Sequence, residues 1–289
     1  MILNNEARSP RATREYRVAL SIAGSDSSGG AGIQADLKTF SALGVYGATA
    51  ITAITAQNTL GVHAQHPIPP QMVHDQIVAV VDDLAPAVVK IGMLANAEIA
   101  SCVADALHEC STPIILDPVI VSTSGHRLLS IEAIEVVKQR LLPMATLVTP
   151  NIPEMEALTQ MPVDTYEDKA RAAEHLFNYG VKAILLKGGH EVGDTKSDIL
   201  FTQSATGIET TTFTSPTIPT RNTHGTGCTL SSAIAAYIAR GCEIEDAIRH
   251  AKEYVTEAIR HGAEIAIGHG HGPVNHGFNP QKLYIYDIE

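Results

Sequence analysis

Short apolar runs alternate with longer amphipathic segments along most of the chain. The first run, at 18–22, has the length of a buried strand, and the segment 33–43 repeats its apolar residues at helical spacing until a glycine ends it. Residues 46–55 are again rich in β-branched side chains, which favour a strand. The chain is therefore predicted to open as strand, helix, strand.

The same alternation continues to residue 262. Further helices are predicted at 72–84, 95–110, 131–142, 152–158, 169–179, 226–240 and 244–262. Further strands are predicted at 87–91, 113–117, 146–149, 183–187, 198–202 and 208–214. Alternating strands and helices indicate an α/β fold with a mostly parallel sheet and helices on both faces. The two successive late strands predict an antiparallel edge.

Three polar residues stand where predicted strands end. Asp117 and Lys187 are the last residues of their strands, and Asn151 closely follows another. In parallel α/β sheets, ligands bind beyond the carboxyl ends of the strands. We therefore expect these three side chains to face one crevice.

Composition changes this picture only in part. The chain has 289 residues, of which 45% are hydrophobic, and it lacks Trp, so we expect a core of Ala, Val, Ile and Leu. The formal net charge is −11 without any basic block, which argues against nucleic acid as a partner. An anionic ligand would have to be held locally, by helix N-termini and single lysines.

The ends and the cysteines indicate the compartment. Residues 1–17 are polar and lack an apolar h-region, so we expect a disordered leader followed by a single domain over 18–289. No apolar run approaches about 20 residues, so no membrane span is expected. The four cysteines form no CxxC pair, and the expected location is the cytoplasm.

The loop Gly225-Thr226-Gly227-Cys228 is the strongest candidate for chemistry. Its glycines precede a helix rich in small residues, so backbone N–H groups and the helix dipole can converge on an anion. Cys228 falls in the first turn, where we expect the pKa of its thiol to be lowered. Taken alone, the loop is more often an ordinary turn, because it is neither a Walker A sequence nor a complete GxGxxG motif.

Other polar residues could complete a site with this loop. Glu154 opens a helix, where a carboxylate can hold magnesium or simply face solvent. Lys187 precedes two glycines that leave room for a ligand. Near the N-terminus, a second candidate site is formed by residues at strand ends or in the facing helix, namely Gly24-Ser25-Asp26, Asp36 and Gln57-Asn58. The Gln57 amide offers the donor and acceptor that suit an aminopyrimidine edge.

In combination, these residues resemble the hydroxymethylpyrimidine/phosphomethylpyrimidine kinases of thiamine biosynthesis. The similar segments run in order between residue 18 and about residue 277, at 23–38, 52–58, 90–93, 116–119, 149–154, 186–190, 224–231 and 270–276. The resemblance implies a ribokinase-like three-layer fold, ATP, Mg²⁺ and the acceptor 4-amino-5-hydroxymethyl-2-methylpyrimidine. It also implies two successive phosphorylations, of the alcohol and then of its monophosphate, to give the diphosphate.

The same resemblance implies a role for each matching residue. The residues assigned to the substrate pocket are Gly24, Asp36, Gln57 and Met93. The residues assigned to catalysis are Lys187, Gly225, Gly227 and Cys228. The residues assigned to ATP are Asn151, Lys187, Thr226 and Lys252. The residues assigned to the metal are Asp117 and Glu154.

Cys228 takes the place in which many ribokinase-like enzymes have an aspartate base. A thiolate there could accept the alcohol proton, or catalysis could depend on positioning and charge neutralisation. The general-base role of Cys228 is therefore a hypothesis.

Several alternatives stay open. A pyridoxal kinase has the same expected fold and sometimes the same cysteine loop, although Gln57 and Met93 favour the pyrimidine. Kinases of sugars or adenosine, a non-catalytic nucleotide- or vitamin-binding module, and a nicotinamide oxidoreductase fit less well. The glycine-rich tail with His269, His271 and His276 is interpreted as a mobile lid or tail rather than a metal site. A homodimer is a further expectation.

Overall fold

A mixed β-sheet forms the middle layer of the computed structural model, which describes residues 14–121, 128–189, 193–205 and 207–287. Two strands, β1 (Arg14–Tyr16) and β11 (Ile285–Asp287), form a small separate sheet. The remaining nine strands form the main sheet: β2 (Val18–Asp26), β3 (Tyr46–Asn58), β4 (Gly61–Pro67), β5 (Val88–Ile91), β6 (Ile114–Leu116), β7 (Leu147–Val148), β8 (Ala183–Leu186), β9 (Thr195–Ser204) and β10 (Gly207–Pro216).

The order of the strands across the main sheet is β10-β9-β8-β7-β6-β5-β2-β3-β4. The six strands from β8 to β3 are parallel, whereas β4, β9 and β10 extend the two edges antiparallel. All four residues of β5 are buried, as expected for a central parallel strand covered on both faces. The mostly parallel sheet and its antiparallel edge strands β9 and β10 are confirmed.

Helices cover both faces of this sheet. They are α1 (Gly32–Ala42), α2 (Pro70–Leu84), α3 (Ala97–Ala106), α4 (Ile131–Val136), α5 (Ile152–Thr159), α6 (Tyr166–Phe177), α7 (Thr226–Ala239) and α8 (Ile244–Gly262). One buried cluster joins the sheet to α2–α6, and the other joins it to α1, α7 and α8. Both consist mainly of Ala, Val, Ile and Leu, and the three-layer α/β fold is confirmed.

The structure departs from the sequence prediction at a few elements. The predicted helix 131–142 is α-helical only over Ile131–Val136 and continues as a π-helical turn, Val137–Leu141. Strand β4 was not predicted, because its residues are largely exposed and polar, and it forms by pairing with β3. Its pairing gives the main sheet a third antiparallel strand, at the edge opposite β9 and β10.

The predicted leader needs a correction. Arg14–Tyr16 forms β1 and pairs with β11, so the last part of 1–17 is a strand rather than disordered chain. Residues 1–13 and His190 of the motif 186–190 lie outside the described residues. The assignment of 18–289 to a single domain stays a prediction.

None of the helices in the described ranges combines the length and the apolar character that a membrane span needs.

The arrangement of strands and helices determines where the candidate site lies. The carboxyl ends of the parallel strands lie at one edge of the sheet, where the first turns of α1, α5 and α7 also begin. The candidate site is built at this edge, as open α/β sheets favour.

Candidate active site

The glycine loop begins helix α7 and packs against the loop before α1. Gly225 is the N-cap residue with φ +82°, and a Cβ atom there would lie 1.8 Å from the Gly30 carbonyl oxygen. Only glycine fits such a backbone conformation and contact without displacement. No side chain caps the helix, which leaves the backbone N–H groups of Gly227 and Cys228 available for an anion.

Thr226 and Gly227 form the first turn of α7. The Thr226 hydroxyl donates to the Thr223 carbonyl oxygen at 3.0 Å. A Cβ atom on Gly227 would lie 3.4 Å from Lys187 Nζ, so the lysine ammonium lies against this turn. The glycine loop, which was predicted to bind an anion, and Lys187 are thus brought together.

Lys187 follows β8 and is paired with two carboxylates. Its Nζ lies 2.8 Å from Asp117 Oδ1 and 3.7 Å from Glu154 Oε2. Burial by itself would raise the pKa of Asp117, but the Lys187 ammonium holds that pKa below its usual range. The same ion pairs raise the pKa of Lys187 despite its burial, so the lysine is a permanent cation.

Asn151 and Glu154 share a capping box at the start of α5. The Asn151 side chain accepts from the Glu154 backbone N–H, and Glu154 Oε2 accepts from the Asn151 backbone N–H, both at 2.8 Å. Burial raises the pKa of Glu154 to about 7, although Lys187 opposes the shift. Asn151, predicted to contact ATP, therefore fixes the backbone that presents Glu154.

Asp36 does not line an open pocket surface, contrary to the prediction. Its carboxylate has no exposed area and lies 3.0 Å from Lys90 Nζ, which is also fully buried. Ser21 and Ser232 donate to the same carboxylate at 2.5 and 2.6 Å. Asp36 thus joins α1, β2, β5 and α7 beneath the site.

Cys228 also differs from its prediction. The residue is half-buried at the N-terminus of α7, but burial raises the pKa of its thiol to about 11. The Lys90 ammonium opposes this shift, while Asp36 and Asp117 reinforce it. The expected lowered pKa is wrong, because desolvation of the thiol, reinforced by two nearby carboxylates, raises it.

The predicted ring-binding residues lie at the other end of the cleft. A Cβ atom on Gly24 would lie 2.8 Å from Met93 Sδ, so these two residues are in contact. The backbone at Met93 is held by Thr52, whose hydroxyl donates to the Met93 carbonyl oxygen at 2.6 Å. Gln57 is half-buried near the end of β3, with its amide between Thr55 and His224.

Lys252 lies beside a cavity between β10 and α8. Its Nζ lies 2.6 Å from Asp198 Oδ2, and Asp198 Oδ1 accepts from the Gly188 backbone N–H at 3.0 Å. The cavity has a volume of about 390 Å³. Lys252 is therefore linked through Asp198 to the segment that follows Lys187.

Three residues that bond to the site residues were not assigned a role from the sequence: Lys90, Asp198 and His224. Lys90 had a usable signal, because it interrupts the apolar run of β5. Asp26 was placed in the candidate site near the N-terminus, but its 2.8 Å contact with His224 had no sequence signal, since it joins residues 198 positions apart.

The glycine-rich tail lies against this end of the molecule. The Thr59 hydroxyl accepts from the backbone N–H groups of His269 and Gly270, each at 3.1 Å. His276 is buried, and its Nε2 lies 3.0 Å from the Thr229 hydroxyl. Within the described ranges, no group of three or more His, Cys, Asp or Glu residues could hold a metal ion by itself.

Comparisons with known proteins identify the family of the chain. The family model for phosphomethylpyrimidine kinase matches residues 26–275. A hydroxymethylpyrimidine/phosphomethylpyrimidine kinase of Bacillus subtilis is 45% identical over 260 residues, which cover 89% of this chain and 94% of that protein. A bifunctional thiamine biosynthesis protein of Geobacter sulfurreducens is 47% identical over 277 residues, which cover 96% of this chain but only 54% of that longer protein.

Solved structures extend the similarity to the fold. A phosphomethylpyrimidine kinase of Clostridium difficile superposes with a TM-score of 0.74 at 44% identity, covering 84% of this chain and 99% of that one. A pyridoxal kinase of Staphylococcus aureus, in complex with AMP-PCP and pyridoxal, superposes with a TM-score of 0.82 at 30% identity, covering 95% and 100%. The ribokinase-like fold that the resemblance implied is thereby confirmed.

Proposed function

The chain belongs to the phosphomethylpyrimidine kinase family and is a phosphotransferase, and we propose that it phosphorylates 4-amino-5-hydroxymethyl-2-methylpyrimidine with ATP. The monophosphate is then the second acceptor, and the resulting diphosphate serves thiamine biosynthesis. One observation carries the proposal: the uncapped N-terminus of α7 and the Lys187 cation lie at the same edge of the sheet as Gln57, whose amide suits an aminopyrimidine.

The glycine loop and Lys187 form the part of the site that can neutralise the charge of the phosphoryl group. The transferred phosphoryl group carries negative charge on its equatorial oxygens, and enzymes stabilise it by positioned donors and cations. The N–H groups at Gly227 and Cys228 and the Lys187 ammonium supply such donors. Their positions are fixed before substrate binds, because Lys187 is already paired with Asp117.

Magnesium fits the oxygen ligands beside Lys187. Mg²⁺ is usually held by one or two carboxylates together with substrate phosphates, rather than by a full set of protein ligands. Glu154 has a raised pKa and only a 3.7 Å contact to Lys187, so its charge is the less fully compensated of the two carboxylates. Glu154, with Asp117 behind it, would hold the ion, which supplies positive charge to the phosphates when bound.

The acceptor hydroxyl needs positioning more than a strong base. With a pKa of about 11, the Cys228 sulfur is a thiol at neutral pH and is a poor proton acceptor. Loose phosphoryl-transfer transition states require little deprotonation of the attacking alcohol. We therefore infer that Cys228 shapes the end of the acceptor pocket and that charge neutralisation carries most of the rate.

The nucleotide is assigned to the cavity between β10 and α8. A volume of about 390 Å³ is within the range of small-molecule sites. Lys252 lines it, and the Lys252–Asp198 pair connects it to the backbone beside Lys187.

Pyridoxal phosphorylation is the second candidate, because a solved relative of the same fold holds pyridoxal. ADP release measured in parallel with the hydroxymethylpyrimidine, its monophosphate, pyridoxal, ribose and adenosine separates the two. We expect the highest kcat/KM with the two pyrimidines. Activity on pyridoxal alone would establish the second candidate, and no release with any alcohol would indicate a binding module.

Lys187→Met tests the site itself. Loss of a preorganised donor to a developing anion typically costs about 10²–10³ in kcat. We expect at least that loss, with Lys182→Met as the control, because Lys182 is exposed just before β8. Equal activity of both variants would place the chemistry elsewhere.

A cytoplasmic location and a homodimer are part of the proposal. The four cysteines are free in the described structure, which is compatible with a reducing compartment. Exposed apolar side chains at Ile54, Leu60 and Met72 border the β3–β4 edge and offer a surface to a second copy. Sedimentation equilibrium over a range of concentrations measures the oligomeric state.

A further inference from the structure

Asp26 is a buried hydrogen-bond acceptor at the end of β2. Its Oδ1 accepts from the backbone N–H and the hydroxyl of Ser28, at 2.8 and 2.7 Å. Its Oδ2 accepts from the backbone N–H groups of Gly30 and Ala31, at 3.1 and 2.8 Å. Burial opposes ionisation, but the hydrogen bonds from His224 and Ser28 hold the pKa of Asp26 down at about 2. The carboxylate is therefore charged and can only accept.

His224 donates to this carboxylate. Its Nε2 lies 2.8 Å from Asp26 Oδ2, so Nε2 must carry the proton. The ring has little freedom, because its side chain is 9% exposed and a Cβ atom on Gly30 would lie only 2.4 Å from its Cδ2. The His224 backbone N–H is also bonded to the Gly272 carbonyl oxygen at 3.0 Å. The direction of the Nε2–H bond is thus fixed by the fold.

The Gln57 amide lies against this N–H group. Its Nε2 position is 3.3 Å from His224 Nε2, and its Oε1 position is 3.0 Å from the Thr55 hydroxyl oxygen. The single hydroxyl proton of Thr55 also has the Ser25 carbonyl oxygen at 2.9 Å. With the amide nitrogen toward His224, two donors would face each other, and Thr55 would have one proton for two acceptors.

Rotation of the amide by 180° about its last torsion resolves both conflicts. The Gln57 carbonyl oxygen then accepts from the His224 Nε2–H group, which is shared with Asp26. The Gln57 NH₂ group then donates to the Thr55 oxygen, whose proton goes to Ser25. The two facing donors and the shared Thr55 proton are both removed, so the hydrogen-bond network selects this orientation of the amide.

We propose that His224 is a positioning residue that fixes the Gln57 amide in this orientation and thereby selects an aminopyrimidine over other rings. The inference rests on the proposed function. The Gln57 carbonyl oxygen keeps a second lone pair, and the Gln57 NH₂ group keeps a second N–H. The two groups are available to a bound ring in a fixed order. A 4-aminopyrimidine carries an amino donor beside a ring-nitrogen acceptor, which matches that order. The pyridoxal ring has no exocyclic amino group and cannot match both groups.

Two substitutions of His224 separate positioning from packing. His224→Phe keeps a flat ring but removes the N–H group, and we expect the KM for the hydroxymethylpyrimidine to rise at least about tenfold. The KM for ATP should stay within about twofold, and the preference for the pyrimidine over pyridoxal in kcat/KM should fall by a similar factor. His224→Gln places an amide N–H near the position of Nε2 and should restore the KM to within about threefold.

A double-mutant cycle with Gln57→Ala tests whether His224 acts through Gln57. In that background, His224→Phe should raise the pyrimidine KM by less than about twofold, because the coupled group is gone. His63→Phe, on the exposed strand β4, is the matched control and should change neither KM. If His224→Phe does not fold, as judged by thermal unfolding, His224→Asn replaces it, since its shorter amide cannot reach Gln57.

The outcomes are distinct. Absence of pyrimidine phosphorylation by the unsubstituted enzyme would contradict the proposed function itself. With that activity present, additive effects in the cycle would overturn the role of His224. Equal KM values for His224→Phe and His224→Gln, or equal increases in the KM for ATP and for the pyrimidine, would overturn it as well.

Discussion

The Ser231 hydroxyl donates to Asp117 Oδ2 at 3.1 Å, although the two residues are 114 positions apart. The next residue, Ser232, donates to Asp36 Oδ1 at 2.6 Å. Successive residues of an α-helix point about 100° apart, so the two serines bond carboxylates on different sides of α7. Each carboxylate is in turn paired with a lysine. Helix α7, which follows the glycine loop, is therefore hydrogen-bonded through two serines to two buried ion pairs.

Ser231→Ala should weaken this attachment. The loss of a buried hydrogen bond to a charged group costs about 1.5–3 kcal/mol, and a small displacement of α7 should lower kcat about tenfold or more. Urea denaturation and steady-state ADP release measure the two effects. Ser41→Ala, on the exposed side of α1, is the control for loss of a serine hydroxyl. Unchanged stability and kcat in Ser231→Ala would show that Asp117 does not hold α7.

Gly225→Ala should abolish most activity. The residue has φ +82°, and its new Cβ would lie 1.8 Å from the Gly30 carbonyl oxygen, so one of the two loops must move. Gly241→Ala is a matched control, because Gly241 also has positive φ, +89°, yet has no atom near its Cβ position. Gly241→Ala should cost about 1 kcal/mol through backbone strain alone, with kcat preserved. A similar kcat for both variants would show that the contact with Gly30 does not position the loop.

Cys228→Ser should keep kcat within about tenfold of the unsubstituted enzyme, with the same pH profile. The pKa of about 11 means that the thiol is protonated near neutral pH, so a hydroxyl can replace it in the pocket. Iodoacetamide should modify Cys228 slowly at pH 7.5 and faster as the pH rises, because the thiolate fraction grows toward pH 11. A loss of more than about 100-fold, with loss of one limb of the pH profile, would instead support the general-base hypothesis.

The elements that the sequence predicted well have strong local patterns. Helix α8 was predicted with its observed bounds, because its apolar residues repeat at helical spacing over five turns. Strand β4 has no such pattern, and the small sheet joins β1 to β11 from opposite ends of the chain. Elements whose stability comes from a distant partner leave little local signal.

The site shows the same division. Gly225, Lys187 and Glu154 could be placed together from motifs and strand ends, and the structure brings them to one edge of the sheet. The lowered pKa expected for Cys228 was wrong, because the charges and the burial around it come from residues far apart in sequence. Local chemistry could be predicted from the sequence, whereas desolvation required the fold.

Glu154→Gln should change stability in a pH-dependent way. Burial raises the pKa of Glu154 from an ordinary value of 4.5 to about 7, so the folded enzyme keeps a proton that the unfolded chain releases. The unfolded state binds fewer protons between these two values, and the stability of the unsubstituted enzyme therefore falls as pH rises through that window. Glutamine does not ionise, and its amide oxygen can still accept from the Asn151 backbone. The variant should therefore be more stable than the unsubstituted enzyme, and the difference should be larger at pH 8 than at pH 5.5.

The same substitution should impair the reaction. If Glu154 holds magnesium, the variant needs more Mg²⁺ for half-maximal activity and has a lower kcat at saturation, despite its greater stability at pH 8. Urea denaturation at the two pH values and Mg²⁺ titrations of ADP release measure these opposite effects. Glu156→Gln removes a carboxylate from the same helix outside the Lys187 cluster and should change neither. A stability difference independent of pH would contradict the raised pKa, and an unchanged Mg²⁺ requirement would remove Glu154 from the metal site.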